Sequence, residues 1–231
     1  MGMMMTSIQY EIHRTGESRS FPAEHPFLDG VSAEADIAVL LGGCAEGLIV
    51  GAGLDLSAYR CVAVELGVES LAFHTGGCEK PESSNIVGFA RWRLGRSTPS
   101  NLIELVAEKG TKASAVSAAR EIFLQAGFEV SDCVDRIGRI VDRLVRPHFN
   151  LALRAIDDGL AEPDDLDECL TLGLGYRKGI LAPLLASDVA LHHDVTASLF
   201  HVYGQLQYAP PRQAVVAKAL VDAGRRRDEH L

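Results

Sequence analysis

Short, uninterrupted apolar runs recur through the first 130 residues, each ended by glycine or polar residues. They cover residues 37–41, 61–64, 86–89 and 102–106. Apolar runs that do not alternate with polar positions are typical of strands covered on both faces, as in a mostly parallel sheet. Residues 6–13 do alternate, which predicts an edge strand, and residues 14–34 are predicted to form a loop.

A helix is predicted after the fourth apolar run. Thr111 is its expected N-cap, and Gly127 is its expected stop. Between them, the apolar positions 116, 119, 123 and 126 recur at helical spacing. A short strand over residues 128–130 follows. The alternation of strand and helix predicts an α/β domain over residues 1–132.

The remaining residues, 133–231, change to a helical period. Apolar positions recur at intervals of three and four from residue 140 to residue 156, with Pro147 inside the predicted helix, where it should introduce a kink. Pro163, followed by two aspartates, opens a second helix. Further helices are predicted over residues 182–191, 195–207 and 212–223, which together make an all-α bundle domain.

Composition and charge narrow the possible partners. The 231 residues carry 22 Lys and Arg against 31 Asp and Glu, a formal net charge of −9. The one dense basic run, residues 225–227, is followed at once by two acidic residues, so we expect no nucleic-acid partner. The longest apolar stretches fall well short of the ~20 residues that cross a bilayer, so we expect no membrane partner and no signal peptide.

The cysteines predict a reducing environment. Their number, five, is odd, and no two of them have C-x-x-C spacing. Such cysteines are typical of free thiols in a cytoplasmic protein, with no zinc site.

The second half of the chain resembles the C-terminal domain of the 3-hydroxyacyl-CoA dehydrogenases. That family reads roughly D-x-P-G-F-x-x-N-R-L, then a proline and N-E-A. This chain has D-R-I-G-R-I-V-D-R-L over residues 135–144, then Pro147 and N-L-A from Asn150. The family's acidic D-x-D and G-x-G-x-x-x-G signatures resemble residues 165–167 and 173–179.

The resemblance extends into the sheet half, with the weakest fit before residue 60. Residues 35–39 resemble the family's A-D-L-V-V strand, and residues 69–71 its N-T-S-S-L turn. Residues 88–90 stand where the family has G-L-H, and residues 102–106 where it has L-V-E-V-V. The resemblance implies a shortened, Rossmann-like α/β domain followed by an all-α domain. It also implies a homodimer formed through the helical domain.

The family's catalytic positions are only partly matched. In the family, a histidine takes the proton of the substrate hydroxyl, a glutamate orients it, and a serine and an asparagine hold the substrate oxygen. Glu104 stands at the glutamate position, but Ala90 stands at the histidine position. Glu69, with Ser70 beside it, stands at the serine position, and Asp142 at the asparagine position. Because alanine cannot accept a proton, a loss of ~10²–10⁴ in rate is expected.

The family also implies NAD as cofactor. Its members begin with a strand and a G-x-G-x-x-G turn, followed by an acid for the ribose about 20 residues on. Here the alignment leaves no room for that first βαβ portion. Only Gly51 and Gly53 match the first two glycines; Leu56 stands at the third, and Glu65 is too close for a full helix. The alternative is an ordinary glycine-rich turn.

Four other groups allow a functional and a structural interpretation. Residues 192–194 with His201 suggest a metal site or, as the structural alternative, an ordinary turn. His74 and Cys78 suggest a nucleophile and its base, or a loop. Trp92 between two arginines suggests stacking on adenine and pairing with the phosphates of CoA, or a strand end. Residues 176–178 suggest a ligand-binding turn, or a solvated one.

Three hypotheses follow. The chain is a non-catalytic relative that binds an acyl-CoA thioester or a partner protein; it is an active NAD-dependent 3-hydroxyacyl-CoA dehydrogenase; or it uses Glu104, Glu69 or Asp142 for other acid–base chemistry. The incomplete catalytic set favours the first.

Overall fold

The computed structural model describes residues 9–30, 35–42 and 54–224. Gly51, Gly53, Cys44 and the basic run 225–227 lie outside these residues, as does the start of the predicted edge strand. Within them, contacts form two compact units. Unit 1 comprises the residues up to Trp92 together with Pro99–Arg139, and unit 2 comprises Arg93–Thr98 together with the residues from Ile140 onward. The predicted domains differ from these units in the placement of residues 93–98 and 133–139.

Unit 1 contains a six-stranded sheet whose spatial order follows the order of the chain. All neighbouring strands are parallel except β4 and β5. The strands are β1 (Glu11–Arg14), β2 (Ile37–Leu41), β3 (Cys61–Glu65), β4 (Ile86–Arg91), β5 (Leu102–Ala107) and β6 (Glu129–Val134). The predicted mostly parallel sheet and its edge strand β1 are confirmed.

Both faces of the sheet are covered, which explains the uninterrupted apolar runs. Alternate residues of β2 to β5 pack with helix α2 (Ala113–Gln125) and an aromatic cluster that includes Phe21, Phe27 and Phe128. The residues between them, such as Leu40 and Val62, form a separate cluster on the opposite face. The predicted loop 14–34 supplies part of this cover and contains a 3₁₀ helix, Pro26–Asp29. The short helix α1 (Ala72–Thr75) follows β3.

The predicted N-cap of α2 is wrong. The helix begins at Ala113, and Lys112 stands at the N-cap position without a side-chain bond. The Thr111 hydroxyl instead accepts from the backbone N–H of Glu108. The Ala113 N–H is bound by the carboxylate of Glu82, which lies 31 residues earlier. Gly127 ends the helix with φ +84°, as predicted.

Unit 2 is helical, as predicted. Its helices are α3 (Val141–Asp157), α4 (Pro163–Glu168), α5 (Leu181–Ala186), α6 (Val189–Tyr203) and α7 (Arg212–Asp222). Pro147 lies inside α3 and has no N–H to donate to the Arg143 carbonyl, four residues before it. That carbonyl accepts from the Tyr208 hydroxyl at 3.2 Å instead.

Two predicted helix boundaries in unit 2 are wrong. The chain is helical to Ala186, breaks at an extended Ser187, and restarts at Val189. Asp188 is responsible because its carboxylate accepts from the N–H groups of Ala190 and Leu191, which caps α6. Among the described helices, none has the length and apolar character needed to cross a membrane.

Candidate functional site

Glu104 and Ala90 are cross-strand partners in unit 1. They lie directly opposite each other in the antiparallel pair of β4 and β5. Both are buried, Glu104 at 2% and Ala90 at 3% exposure, and both lie on the sheet face away from α2. Residues directly opposite in such a pair have Cβ atoms about 5 Å apart. A side chain at position 90 would therefore lie beside the Glu104 carboxylate, where the chain has only a methyl group.

Arg139 is the charged neighbour of Glu104. Its Nε lies 3.5 Å from Glu104 Oε2, and the two side chains are 4% and 3% exposed. The same guanidinium donates to the backbone carbonyls of Gly67 and Glu69. The Glu104 carboxylate is thus neutralised by a group that cannot accept a proton. Arg139 is not among the site residues predicted from the sequence. The available signal was an arginine after Gly138, where the family pattern has phenylalanine.

The turn that carries Glu69 and Ser70 is fixed by the residues just before α3. Both carboxylate oxygens of Asp135 accept backbone N–H groups, those of Leu71 at 2.6 Å and Ala72 at 2.8 Å. The Gly138 N–H donates to the Val68 carbonyl at 2.9 Å. Together with Arg139, these bonds join two segments of unit 1 that are far apart in the sequence.

Glu69 is bound within its own turn. Its Oε1 accepts from the Gly67 N–H at 2.8 Å and lies 3.2 Å from His74 Nε2. The Glu69 side chain is 27% exposed, whereas that of His74 is 3% exposed. Ser70 lies at the start of the turn into α1, where its carbonyl accepts from the Phe73 N–H.

The proposed His74–Cys78 pair has other partners. Cys78 Sγ lies 3.0 Å from Ser83 Oγ, and the Cys78 N–H donates to Glu108. His74 is paired with Glu69. These contacts favour the structural interpretation of both residues.

Asp142 belongs to unit 2, where it forms a buried ion pair. Arg146 Nε donates to Asp142 Oδ1 at 2.8 Å, and the two side chains are 1% and 5% exposed. The same guanidinium lies 3.0 Å from His192 Nδ1. As with Glu104, a fixed arginine holds the carboxylate that stands at a family catalytic position.

His192 is neutral in this network. Burial, followed by the positive charge of Arg146, lowers the pKa of His192 from 6.5 to about 3. Because Arg146 donates to Nδ1, the proton lies on Nε2, which donates to Asn150 Oδ1 at 2.9 Å. The Asn150 amide in turn donates to Thr196 and to the Gln207 carbonyl.

The histidines of α6 do not converge on a common point. His192 is used in the buried network, and His193 pairs with Asp194 at 3.1 Å. Over the described ranges, no group of three or more His, Cys, Asp or Glu side chains is arranged to hold a metal ion.

The two arginines that flank Trp92 donate hydrogen bonds to backbone carbonyls of the chain. Arg91 donates to the carbonyls of Ser20, Pro99 and Ser100. In unit 2, Arg93 donates to the carbonyls of Ser97 and Arg96. These bonds favour the structural interpretation over recognition of CoA phosphates. The turn of residues 176–178 is exposed.

The carboxyl ends of β1 to β4 form one edge of the sheet, which we call the carboxyl edge. Residues 15–21, the crossing segment, run along this edge. At its centre is the Glu65 carboxylate, the last residue of β3 and 2% exposed. It accepts from the Ser18 hydroxyl at 2.9 Å, the Ser20 N–H at 2.5 Å and the Gly42 N–H at 2.8 Å.

Comparison with known proteins identifies several dehydrogenases that are similar to this chain. Residues 138–230 match the family model described as 3-hydroxyacyl-CoA dehydrogenase, C-terminal domain. The 3-hydroxyadipyl-CoA dehydrogenase of Escherichia coli strain K12 is 32% identical over 126 residues, 54% of this chain and 26% of that protein. A 3-hydroxybutyryl-CoA dehydrogenase of Mycobacterium tuberculosis is 29% identical over 114 residues, 48% of this chain and 39% of that protein. The match thus spans less than half of either relative.

Solved structures of similar proteins share the fold. The structure of FadB2 from M. tuberculosis gives a TM-score of 0.65 at 20% identity, covering 83% of this chain and 67% of that one. The 3-hydroxybutyryl-CoA dehydrogenase of E. coli K12 gives a TM-score of 0.65 at 22% identity, covering 83% and 40%. These likenesses agree with a mostly parallel sheet followed by helices.

Proposed function

We propose, from the premise that this chain belongs to the 3-hydroxyacyl-CoA dehydrogenase family through its C-terminal domain, that it binds an acyl-CoA thioester without oxidising it. The ligand class is supported by two relatives that are dehydrogenases of acyl-CoA substrates by their names. The chain would then act in fatty-acid or acyl-CoA metabolism, in the cytoplasm, as a binding protein.

One observation carries the non-oxidising part of the proposal. Opposite Glu104, position 90 holds an alanine, and the carboxylate is paired with Arg139 instead of a histidine. Oxidation of a hydroxyl requires a group that takes its proton, and neither alanine nor a guanidinium can do so. Glu104 here forms an ion pair with a buried arginine and has an alanine as its cross-strand partner.

A turnover assay combined with a binding assay tests the proposal. With acetoacetyl-CoA present, the full chain should consume NADH no faster than buffer does. Calorimetry should detect binding of acetoacetyl-CoA. Free CoA is titrated in parallel as the matched control ligand. NADH consumption by the wild-type chain above the buffer rate would overturn the non-oxidising role. Absence of heat with the thioester would overturn the binding role.

A second candidate is acid–base chemistry at Glu69, which the His74–Glu69 contact of 3.2 Å favours. Glu69 is the more exposed member of the pair, so solvent reaches it. This candidate predicts that the chain speeds exchange of the C2 protons of acetoacetyl-CoA with deuterated water and that Glu69→Gln removes the effect. Unchanged exchange with the wild-type chain would exclude it.

We further propose that the chain forms a homodimer through unit 2. The proposal is supported by the family resemblance and by large apolar side chains that unit 2 exposes, among them Leu144, Leu151, Leu172 and Leu174, each more than 60% accessible. Exposed leucines of this number are typical of a surface that a second copy covers.

A further inference from the structure

The family resemblance implies NAD as cofactor. The order of the described strands, however, differs from the strand order of a dinucleotide-binding sheet. In open α/β sheets, a dinucleotide lies in the crevice outside the carboxyl ends of the strands, at the point where the strand order reverses. Here the spatial order of β1 to β6 is the order of the chain, without a reversal among the described strands. The described strands therefore form no such crevice between two neighbours.

The chain also passes very close to itself at the carboxyl ends of β1 and β2. The Thr15 N–H donates to the Leu41 carbonyl at 3.1 Å. Gly42 has φ +119°, and a Cβ added there would lie 1.9 Å from the Thr15 carbonyl oxygen. This backbone contact fills the place where a phosphate would approach the ends of these two strands.

Glu65 uses the donors that a phosphate would need. Phosphate sites in such folds are built from free backbone N–H groups, often at a helix N-terminus. At this edge, the N–H groups of Ser20 and Gly42 and the hydroxyl of Ser18 all donate to one buried carboxylate. A negative charge enclosed at that point also repels a diphosphate.

The far end of the crossing segment is anchored by Arg91. Its guanidinium donates to the Ser20 carbonyl at 2.8 Å and lies 5.2 Å from the centre of the Phe21 ring. Phe21 is 1% exposed and stacks on Phe27. The segment is thus held by a carboxylate, a guanidinium and an aromatic core.

We infer that the crossing segment takes the place of the dinucleotide at the carboxyl edge, so that this chain does not bind NAD. The residues present at this edge do not fit the cofactor. The inference goes beyond the proposed thioester binding and rests on different residues, so either can fail while the other holds.

Two measurements on the full chain test it. NADH and NAD⁺ are titrated by calorimetry, with a dehydrogenase of known NADH affinity as the positive control. Hydrogen exchange is followed at Ser20 and Gly42 in the wild type, in Glu65→Gln, and in the matched control Glu17→Gln, which alters an exposed carboxylate of the same segment. Ser18→Ala, which removes a single bond, replaces Glu65→Gln if that variant does not fold.

The inference predicts no NADH or NAD⁺ binding at concentrations that saturate the control enzyme. It also predicts slow exchange at Ser20 and Gly42 in the wild type and in Glu17→Gln. Exchange at these amides should become at least tenfold faster in Glu65→Gln. Saturable binding of either nucleotide by the wild type would overturn the inference. Rapid exchange at Ser20 in the wild type, or unchanged exchange in Glu65→Gln, would overturn the role given to the segment.

Discussion

The Glu104 carboxylate and the Arg139 guanidinium are both withdrawn from water in unit 1. Removing two charges from water is costly, and their attraction offsets the cost only while both are present. Arg139 adopts φ +47°, a backbone conformation that non-glycine residues seldom take, and its backbone carbonyl partners keep it there. The pair therefore has a structural role at a position where the family pattern has a catalytic one.

Replacing Glu104 alone should leave the Arg139 charge buried and uncompensated. We expect Glu104→Gln to lower the free energy of unfolding by about 3 kcal/mol. The double variant Glu104→Gln with Arg139→Met should lose less than the sum of the single changes. Urea denaturation measures these values, with the exposed Glu121→Gln as control. A loss in Glu104→Gln no larger than in the control would contradict the pairing.

His192 should make the protein less stable in acid. Its pKa is about 3 in the folded chain and near 6.5 when unfolded, so below pH 6.5 the unfolded chain takes up a proton that the folded chain does not. The free energy of unfolding should fall by up to about 1.4 kcal/mol per pH unit from this group between pH 6.5 and 3.

The variant His192→Gln isolates that contribution. Its free energy of unfolding is subtracted from that of the wild type at each pH, and the difference should shrink as the pH falls through this window. The exposed His201→Gln serves as control. A difference that is independent of pH would show that His192 is not held neutral.

At the scale of elements, the sequence predicts the buried strands and the long helices well. Strands covered on both faces need continuous apolar runs, and β2 to β5 lie within one or two residues of the predicted positions. The missed features depend on bonds between distant residues. Glu82 caps α2 across 31 positions, and Asp135 binds Ala72 across 63 positions. The spacing of residues within a short stretch of sequence does not indicate such distant partners.

The candidate site, too, could be predicted from the sequence only in part. Motif position and strand register place Ala90 opposite Glu104, which the alignment implies and the structure shows. The arginines that pair with Glu104 and Asp142 were not predicted from the sequence. One of them, Arg139, lies 35 residues after Glu104 in the chain, and only the folded structure shows that the two side chains are neighbours.

The N-terminus of helix α5 provides a test of capping by a residue distant in the sequence. The Asp167 carboxylate accepts from the N–H groups of Leu181 and Ala182, which caps the helix from 14 and 15 residues away. Asp167→Ala should lower the free energy of unfolding by about 1–2 kcal/mol. Asp165→Ala, an exposed aspartate of α4, should change it by less than about 0.5 kcal/mol. Equal losses in the two variants would contradict the cap.

At the scale of the whole molecule, three observations bear on the function. Residues 138–230 match the C-terminal domain of the 3-hydroxyacyl-CoA dehydrogenases, Ala90 stands where that family's pattern has its histidine, and the carboxyl edge of the sheet is crossed by the chain's own residues. Together they support the proposal that the chain binds an acyl-CoA thioester and does not bind the nicotinamide cofactor.

The most direct test of this claim is native mass spectrometry of the full chain, incubated with equal concentrations of acetoacetyl-CoA and NADH. We expect a dimer that carries the thioester and no NADH. Dimers or monomers that carry NADH would contradict the loss of the cofactor, and a chain that carries neither ligand would contradict thioester binding.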